Sequence, residues 1–541
     1  MTSTIEKQRF RMKIKDKVAT LSVLIGLLGG CATVGPNYTE PKVQESKEWI
    51  EKDKQISDKS ADLSRWWKVF GDPILDNLIE KAYQQNLPLQ IAGIRILEAR
   101  ARLGIAIGNF YPQSQAVDAS LTVTGLSENT ANTNPGVDFN YNDLYLGFGA
   151  AWELDLWGKF RRGMQSSFAA LEGTVANYDD VLVTLTADVA GTYVLIRTIE
   201  ARLEVNRANV KTQKRTLQIA QAQFEGGLVT ELDVQQARNL LNSTQASIPP
   251  LEAGRRQAMN ALATLLGILP EKIEKILDGS RPIPTAPVEV AVGIPAELLR
   301  RRPDIRLAER LVAAQSPLVG VAKADLYPHF ALFGQIGLRS SDASSTAAGY
   351  PSGSDLSDIF SSNSVEWFAG PAFSWDVFNY GRIKNRVRVE DARLQELAVN
   401  YQNTVLKAFQ EVEDGLVGFL QAKNAMNFQL EAVAAAKRSV EISLVQYGEG
   451  LVDYQRVLDA ERALVSSQDN MVSTNGSVAS YLVAVYRALG GGWEIRVGKD
   501  FIPADVKEEM EKRTDWDKFL VPATMEPNPE KIEKVLPRPE W

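Results

Sequence analysis

Cys31 is the only cysteine and His329 the only histidine of the 541 residues, which narrows the chemistry open to this chain. The sequence contains no nucleophile–base constellation, metal-ligand spacing or glycine-rich phosphate loop, so it is read as a non-enzyme that needs no cofactor and no metal. The one reactive group in a defined setting is the Cys31 thiol. Arg9, Arg11, Lys13, Lys15 and Lys17 precede the apolar run Val18–Gly30, which is too short to cross a membrane as a helix, so residues 1–30 read as a signal peptide. Leu28-Gly29-Gly30-Cys31 resembles a bacterial lipobox, in which small residues admit the peptidase and the freed Cys31 carries a diacylglycerol. Ala32, rather than an aspartate, follows it, which resembles sorting to the outer membrane. With Cys31 lipidated no thiol remains for a disulfide, so burial alone must stabilise the fold. His329 follows Tyr327-Pro328 at a strand entrance and reads as an interfacial residue.

The elements that carry these groups are written twice, 223 residues apart. Asn177-Tyr178 recurs as Asn400-Tyr401, Gln223 as Gln446, and Gly227-Leu228-Val229 as Gly450-Leu451-Val452, with no gap. Each copy holds a seven-residue apolar ladder, from Val175 through Leu182, Val189, Ile196, Leu203, Val210 and Leu217 to Phe224, and from Ala398 through Val405, Val412, Phe419, Met426, Val433 and Val440 to Tyr447. A sustained heptad is a coiled-coil seam. The first helix, from just after Gly158 to Gly226, would be ~100 Å long at ~1.5 Å per residue and must pack along its whole length. The formal charge is −7, and −11 once residues 1–30 are removed, which excludes a nucleic-acid partner.

In each copy the period switches to two over a pair of segments, about 113–125 and 142–156, then about 328–340 and 365–378. Val117, Ala119, Leu121 and Val123 alternate with Asp118, Ser120, Thr122 and Thr124, for example. The loops between the paired strands, Ser127–Tyr141 and Ser340–Ser364, are rich in Asn, Ser, Gly and Asp. Strands of this length cross a bilayer at a tilt, and Trp152, Trp157, Trp367 and Trp375 sit near strand ends as interfacial girdles do. Four strands cannot close a barrel, and an open edge in lipid leaves backbone groups unpaired. The chain must oligomerise, two copies giving eight strands or three giving twelve. Gly147, Gly149, Ala151, Gly370, Ala372 and Ser374 on the inward face favour the wider ring.

Taken together, these residues resemble the outer membrane factors, the TolC-like exit ducts of bacterial efflux pumps, in their NodT-type lipoprotein branch. The stretches that carry the resemblance are Cys31-Ala32-Thr33-Val34-Gly35-Pro36-Asn37-Tyr38, Trp66-Trp67 with Phe70-Gly71-Asp72-Pro73, Arg301-Arg302-Pro303-Asp304-Ile305, Ala324-Asp325-Leu326-Tyr327-Pro328 and the paired hairpin tips. The resemblance implies an α+β membrane protein: a homotrimer with a twelve-stranded β-barrel in the outer membrane, continued by a periplasmic α-helical barrel. Its partners would be a periplasmic adaptor (membrane fusion) protein, an inner-membrane transporter of the RND type and outer-membrane lipid. The expected organisation is a signal peptide (1–30), a lipidated extended linker (31–60), repeat 1 (61–280, tip near 226–229), repeat 2 (281–492, tip near 448–452) and a C-terminal equatorial extension (493–541).

By match to the family, Asp453, Gln455, Arg456 and Asp459 would line the periplasmic aperture. Asp233 and Tyr447 match two members of the Asp–Tyr–Arg link that holds such ducts shut, while Val452 takes the arginine's place. Gly227, Leu228, Val229, Thr230, Gly450, Leu451 and Val452 would form the adaptor-docking tips. The expected function is passive export of small toxic compounds. The competing readings are a type I protein-secretion duct and a non-conducting coiled-coil lipoprotein.

Overall fold

A computed structural model describes residues 33–516, apart from 44–47, 52, 54–55, 58–61, 130–137, 288–289, 293–294, 296–300, 346–351 and 354, together with Leu520. The signal peptide and Cys31 lie outside the described residues.

The duplication read from sequence is also a duplication of structure. Helix α1 (Pro73–Gln85) starts at Pro73 because the Asp72 carboxylate accepts from Ile74 N and Leu75 N. Helix α2 (Leu87–Gly108) follows, and then a hairpin of β1 (Ser114–Gly125) and β2 (Asn140–Glu153). Helix α3 (Lys159–Glu225) has 67 residues. It returns as α4 (Glu231–Ala246) and α5 (Ile248–Leu265), followed by the short α6 (Ile273–Leu277). The second copy runs α7 (Pro303–Ala324), β3 (His329–Ser341), β4 (Val365–Ser374), α8 (Arg382–Gly448) and α9 (Tyr454–Ala488). Helix α8 also has 67 residues, and its start and end are each displaced by 223 from those of α3. Even the left-handed glycines that launch them, Gly158 (φ 79°) and Gly381 (φ 82°), keep that offset. A final helix, α10 (Ala504–Glu511), lies beyond the repeat.

The four strands form one antiparallel sheet in the order β1-β2-β3-β4, so β2 and β3 join the two copies directly. Register places Val117, Phe148, Ile336 and Trp367 in one row on one face, and Asp118, Gly147, Gly337 and Glu366 in the next row on the other. The outer edges of β1 and β4 pair with no strand of this chain among the described residues.

The main core lies where the helices meet, midway along α3. Leu182, Val189, Tyr193 and Ile196 of α3 pack there against Leu75 and Leu78 of α1, Met259 and Leu262 of α5, and Leu482 and Val485 of α9. Trp66 stacks on Tyr486 at 5.3 Å and meets Trp67 edge-on at 5.9 Å, which gives the paired tryptophans their place. Arg302 staples three helices: it donates to Asp304 of α7, to Glu411 of α8 at 2.7 Å, and to the Ala488 carbonyl of α9 at 2.7 Å.

Along α8 the ladder is buried at Val405, Val412, Phe419, Val440 and Tyr447 and half-buried at Ala398, Met426 and Val433. Along α3 it holds only from Leu182 to Leu203; nearer the tip the buried positions are Asn206, Asn209, Gln213, Thr216 and Ala220, and Phe224 is exposed. Ile199, Asn206, Gln213 and Ala220 recur at seven residues, as do Asn209 and Thr216, so the seam keeps its period but passes from the apolar ladder to a neighbouring polar stripe that meets α9. The return helix of repeat 1 also breaks at Ser247, where Ile248-Pro249-Pro250 restarts it as α5. One stretch of α3 is apolar enough to cross a membrane by composition, but 67 % of it is buried inside the chain.

Candidate functional site

Alternation along the strands gives the sheet two chemically distinct faces. On the first, Val117, Leu121, Val123, Phe148, Ile336, Trp367 and Phe373 are all exposed, with Trp367 at 73 % and Val123 at 77 %. The second carries Asp118, Ser120, Thr122, Asp143, Tyr145, Gln335, Arg339 and Glu366. Most of these line a shallow recess of about 280 Å³. Arg339 bonds Asp143 through Nε at 3.0 Å and reaches Glu366 at 3.9 Å, so one cation faces three carboxylates on this part of the wall. Beyond Gly147 the same face carries the small residues Gly149, Ala151, Gly370 and Ala372 beside the exposed rings of Phe333 and Phe368, which meet at 5.9 Å.

The helical end of the sheet is tied to the helices by an aromatic and polar junction. Trp157 stacks on Tyr327 at 4.7 Å and donates from Nε1 to the Pro328 carbonyl at 2.7 Å. Trp375 donates to the Leu326 carbonyl. His329 meets Glu153 at 2.8 Å, and Lys159 pairs with Asp325 at 3.0 Å. This position accounts for the His329 side chain as a member of the junction. Thr33–Val43 runs down from here: Val34 N bonds the Trp157 carbonyl, Asn37 accepts from Arg162, and Tyr38 bonds Glu309 of α7.

The two tips at the far end are built alike. Gly227 (φ 71°) and Gly450 (φ 70°) take the left-handed conformation that closes each helix, and Leu228 N and Leu451 N reach back to the Gln223 and Gln446 carbonyls. Leu228 and Leu451 are exposed by 77 % and 73 %, whereas Val229 and Val452 turn inward against the tip cluster of Ala220, Val234, Ala237, Tyr447, Tyr454 and Val457. Thr230 and Asp453 each precede a returning helix without capping it through the side chain. Asp453, Gln455, Arg456 and Asp459 are exposed on one side of α9, opposite buried Tyr454, Val457 and Leu458. Asp459 accepts from Gln455 Nε2 at 2.9 Å, and Gln236 of α4 reaches Gln455 at 3.4 Å.

Asp233 and Tyr447 come together across the tips without a hydrogen bond, because the Tyr447 hydroxyl has no partner among the described residues. Burial, with the nearby Asp233 charge, pushes that hydroxyl up to about 12. Asp233 is itself raised, by partial burial and by the Asp453 carboxylate. The tip therefore holds two carboxylates and two buried phenols, Tyr447 and Tyr454, whose rings meet at 5.4 Å.

Two features had no counterpart in the reading of the sequence. Asp179, fully buried in α3, accepts from Arg306 of α7 and from Arg496 beyond the repeat, the latter through Nη2 at 2.9 Å. It fastens residues 493–516 across the middle of the molecule, where Phe501 meets Tyr178 edge-on. The available signal was an asymmetry: Tyr178 and Tyr401 are matched and both buried, yet Asp179 has Gln402 as its mate. The second is the polar stripe between α3 and α9, where Asn209 donates to Gln468 and Thr216 to buried Glu461 at 2.7 Å. Burial raises the Glu461 carboxyl, the Thr216 bond opposing it. Among the described residues there is no group of His, Cys, Asp and Glu able to hold a metal.

An amphipathic open sheet set at one end of paired 67-residue helices, with matched tips at the other, defines the class of outer-membrane channels with a periplasmic extension. The chain belongs to the outer membrane efflux protein family, whose model matches residues 78–268 and 294–491. It is 30 % identical to Nodulation protein T of Rhizobium leguminosarum bv. trifolii, over 86 % of this chain and 96 % of that protein. It is equally identical, at 30 %, to the toluene efflux pump outer membrane protein TtgI of Pseudomonas putida, over 87 % of this chain and 97 % of that one. The solved outer-membrane channel OprN superposes with a TM-score of 0.77 at 33 % identity, covering 86 % of this chain and all of OprN. The protein is an outer-membrane efflux channel.

Proposed function

We propose that three copies of this chain form the exit duct of a tripartite pump, receiving small toxic compounds from an inner-membrane transporter of the RND type through a periplasmic adaptor. The duct conducts passively and carries out no catalysis. The observation that carries this reading is the sheet itself. Its apolar face is unsatisfied in water, its two outer edges lack partners among the described residues, and its other face is polar. In lipid each unpaired backbone group costs several kcal/mol, a penalty removed when three sheets close into twelve strands. The polar faces then enclose a conduit that continues between the long helices. The names of the toluene and solvent relatives support small apolar compounds as cargo.

The test is purification in detergent followed by planar-bilayer recording. A trimer that dissociates only on heating and opens discrete ion currents is expected; a monomer, or a trimer without current, overturns the proposal.

At the far end Asp453, Gln455, Arg456 and Asp459 line the aperture, a reading that their exposure beside the tip supports, and three-fold symmetry brings like charges together there. Asp233 and Tyr447 couple the two hairpins beside it through charge and packing, since Val452 supplies no guanidinium. Gly227, Leu228, Thr230, Gly450 and Leu451 present the adaptor with small or apolar tips, underpinned by Val229 and Val452. Replacing both Gln455 and Asp459 by alanine raises the resting current of reconstituted trimers. Currents equal to wild type in that variant remove the two residues from the gate.

A further inference from the structure

Two glycines of the polar wall stand directly opposite one another, Gly147 on β2 and Gly337 on β3. Both are buried, although Asp118, Phe333 and Arg339 on the same face are exposed. What covers them is the Tyr145 ring. A Cβ on Gly147 would collide with the Tyr145 hydroxyl and Cζ. One on Gly337 would lie 2.8 Å from Tyr145 Cε2 and 2.9 Å from the Gly147 Cα, closer than real contacts allow. The ring therefore lies along the wall towards the helical end, where its hydroxyl accepts from Gln335 Nε2. Glycine weakens a strand interior, and an aromatic ring laid over it restores the lost contact. Here the arrangement also governs space, because Tyr145 is itself paired with Arg339, at the level of the charged wall.

We propose that Gly147 and Gly337 form a recess that stows the Tyr145 ring flat, so that these three residues set the bore of the conduit at this level. The inference rests on the polar face being the conduit wall. With the recess filled, the ring stands into the lumen of every subunit and bulky solutes are excluded.

Ala151, on the same face and nearer the helices, supplies the reporter position. Ala151→Cys adds one thiol to a chain whose only other cysteine is Cys31, and the unsubstituted chain serves as the blank. Outer-membrane vesicles are treated from outside with maleimides of graded size. In the Ala151→Cys background both small and large reagents label. Adding Gly147→Val slows the large reagents several-fold and spares the smallest, and adding Tyr145→Ala as well restores them. Failure of Ala151→Cys to react with even the smallest reagent overturns the conduit reading. Normal labelling with an unchanged size limit in Gly147→Val, or no recovery with Tyr145→Ala, overturns the stowed ring alone. Should Gly147→Val fail to assemble, Tyr145→Ala alone still decides: the size limit stays as in wild type if the ring is stowed, and an increase refutes it.

Discussion

Neutralising Asp118 and Glu366 together asks whether the barrel wall selects ions. The two side chains share one level of the polar face, across Gly147 and Gly337. Arg339 is committed to Asp143 at 2.9 Å and only reaches Glu366 at 3.9 Å, so this part of the wall carries a net charge of −2 per chain. At ~10 Å from the axis one charge acts on a unit ion with ~0.4 kcal/mol in water. A Debye length of ~10 Å at 0.1 M salt reduces that to ~0.15 kcal/mol. Over three chains the sum is ~0.9 kcal/mol, which raises cation occupancy and lowers anion occupancy by about five-fold each. Asp118→Asn with Glu366→Gln leaves the Asp143–Arg339 pair and a locally neutral wall. The reversal potential of trimers in a KCl gradient moves markedly away from the cation limit in that variant, and the shift shrinks at high salt. A variant that assembles as wild type yet keeps the same reversal potential refutes the placement of these carboxylates on the conduit wall.

Replacing Asp179 by alanine strands the Arg306 and Arg496 guanidiniums, and breaking a buried pair of this kind costs ~3–5 kcal/mol. The temperature at which trimers dissociate falls, and Asp179→Ala with Arg496→Ala recovers part of the loss. Asp180, next to it, is raised from 3.8 to about 6, first by burial and then by the Asp304 charge. Between those values Asp180 holds its proton more in the folded chain than in the unfolded one, so this residue's contribution to stability declines as pH rises from about 4 to about 6. The decline amounts to ~3 kcal/mol at ~1.4 kcal/mol per unit. Asp180→Asn removes that contribution to the slope, raising the dissociation temperature at pH 7.5 and leaving it nearly unchanged at pH 4. An unaltered pH profile refutes the assignment.

The parts of this fold that repeat or alternate were open to inspection in the sequence. The 223-residue offset foretold α3 and α8, and period-two alternation found the four strands, because one face of each strand must be apolar and the other is not. What stayed hidden depends on how distant pieces meet. Nothing local in Asn140–Glu153 or His329–Ser341 says that they pair with each other across the repeats. The passage of the α3 seam onto Asn206, Asn209 and Gln213 depends on the polar groups that α9 brings against it, Gln468 and Glu461 among them, which a ladder of apolar letters conceals. Asp179 looked like any other carboxylate on a long helix until Arg496, 317 positions away, closed on it. At the tips the glycines could be read directly, but the inward turn of Val229 and Val452 beside outward Leu228 and Leu451 required the packing of the other hairpin.

The unpaired outer edges of β1 and β4 also have a genetic consequence. Each conduit draws its walls from three separately made polypeptides, so cells expressing sound and defective versions in equal amounts sample them in threes. Random mixing leaves about one assembly in eight composed wholly of sound copies. A substitution that spares assembly but obstructs passage is therefore dominant, whereas one that spoils the strand edges drops out of the mixture and is recessive.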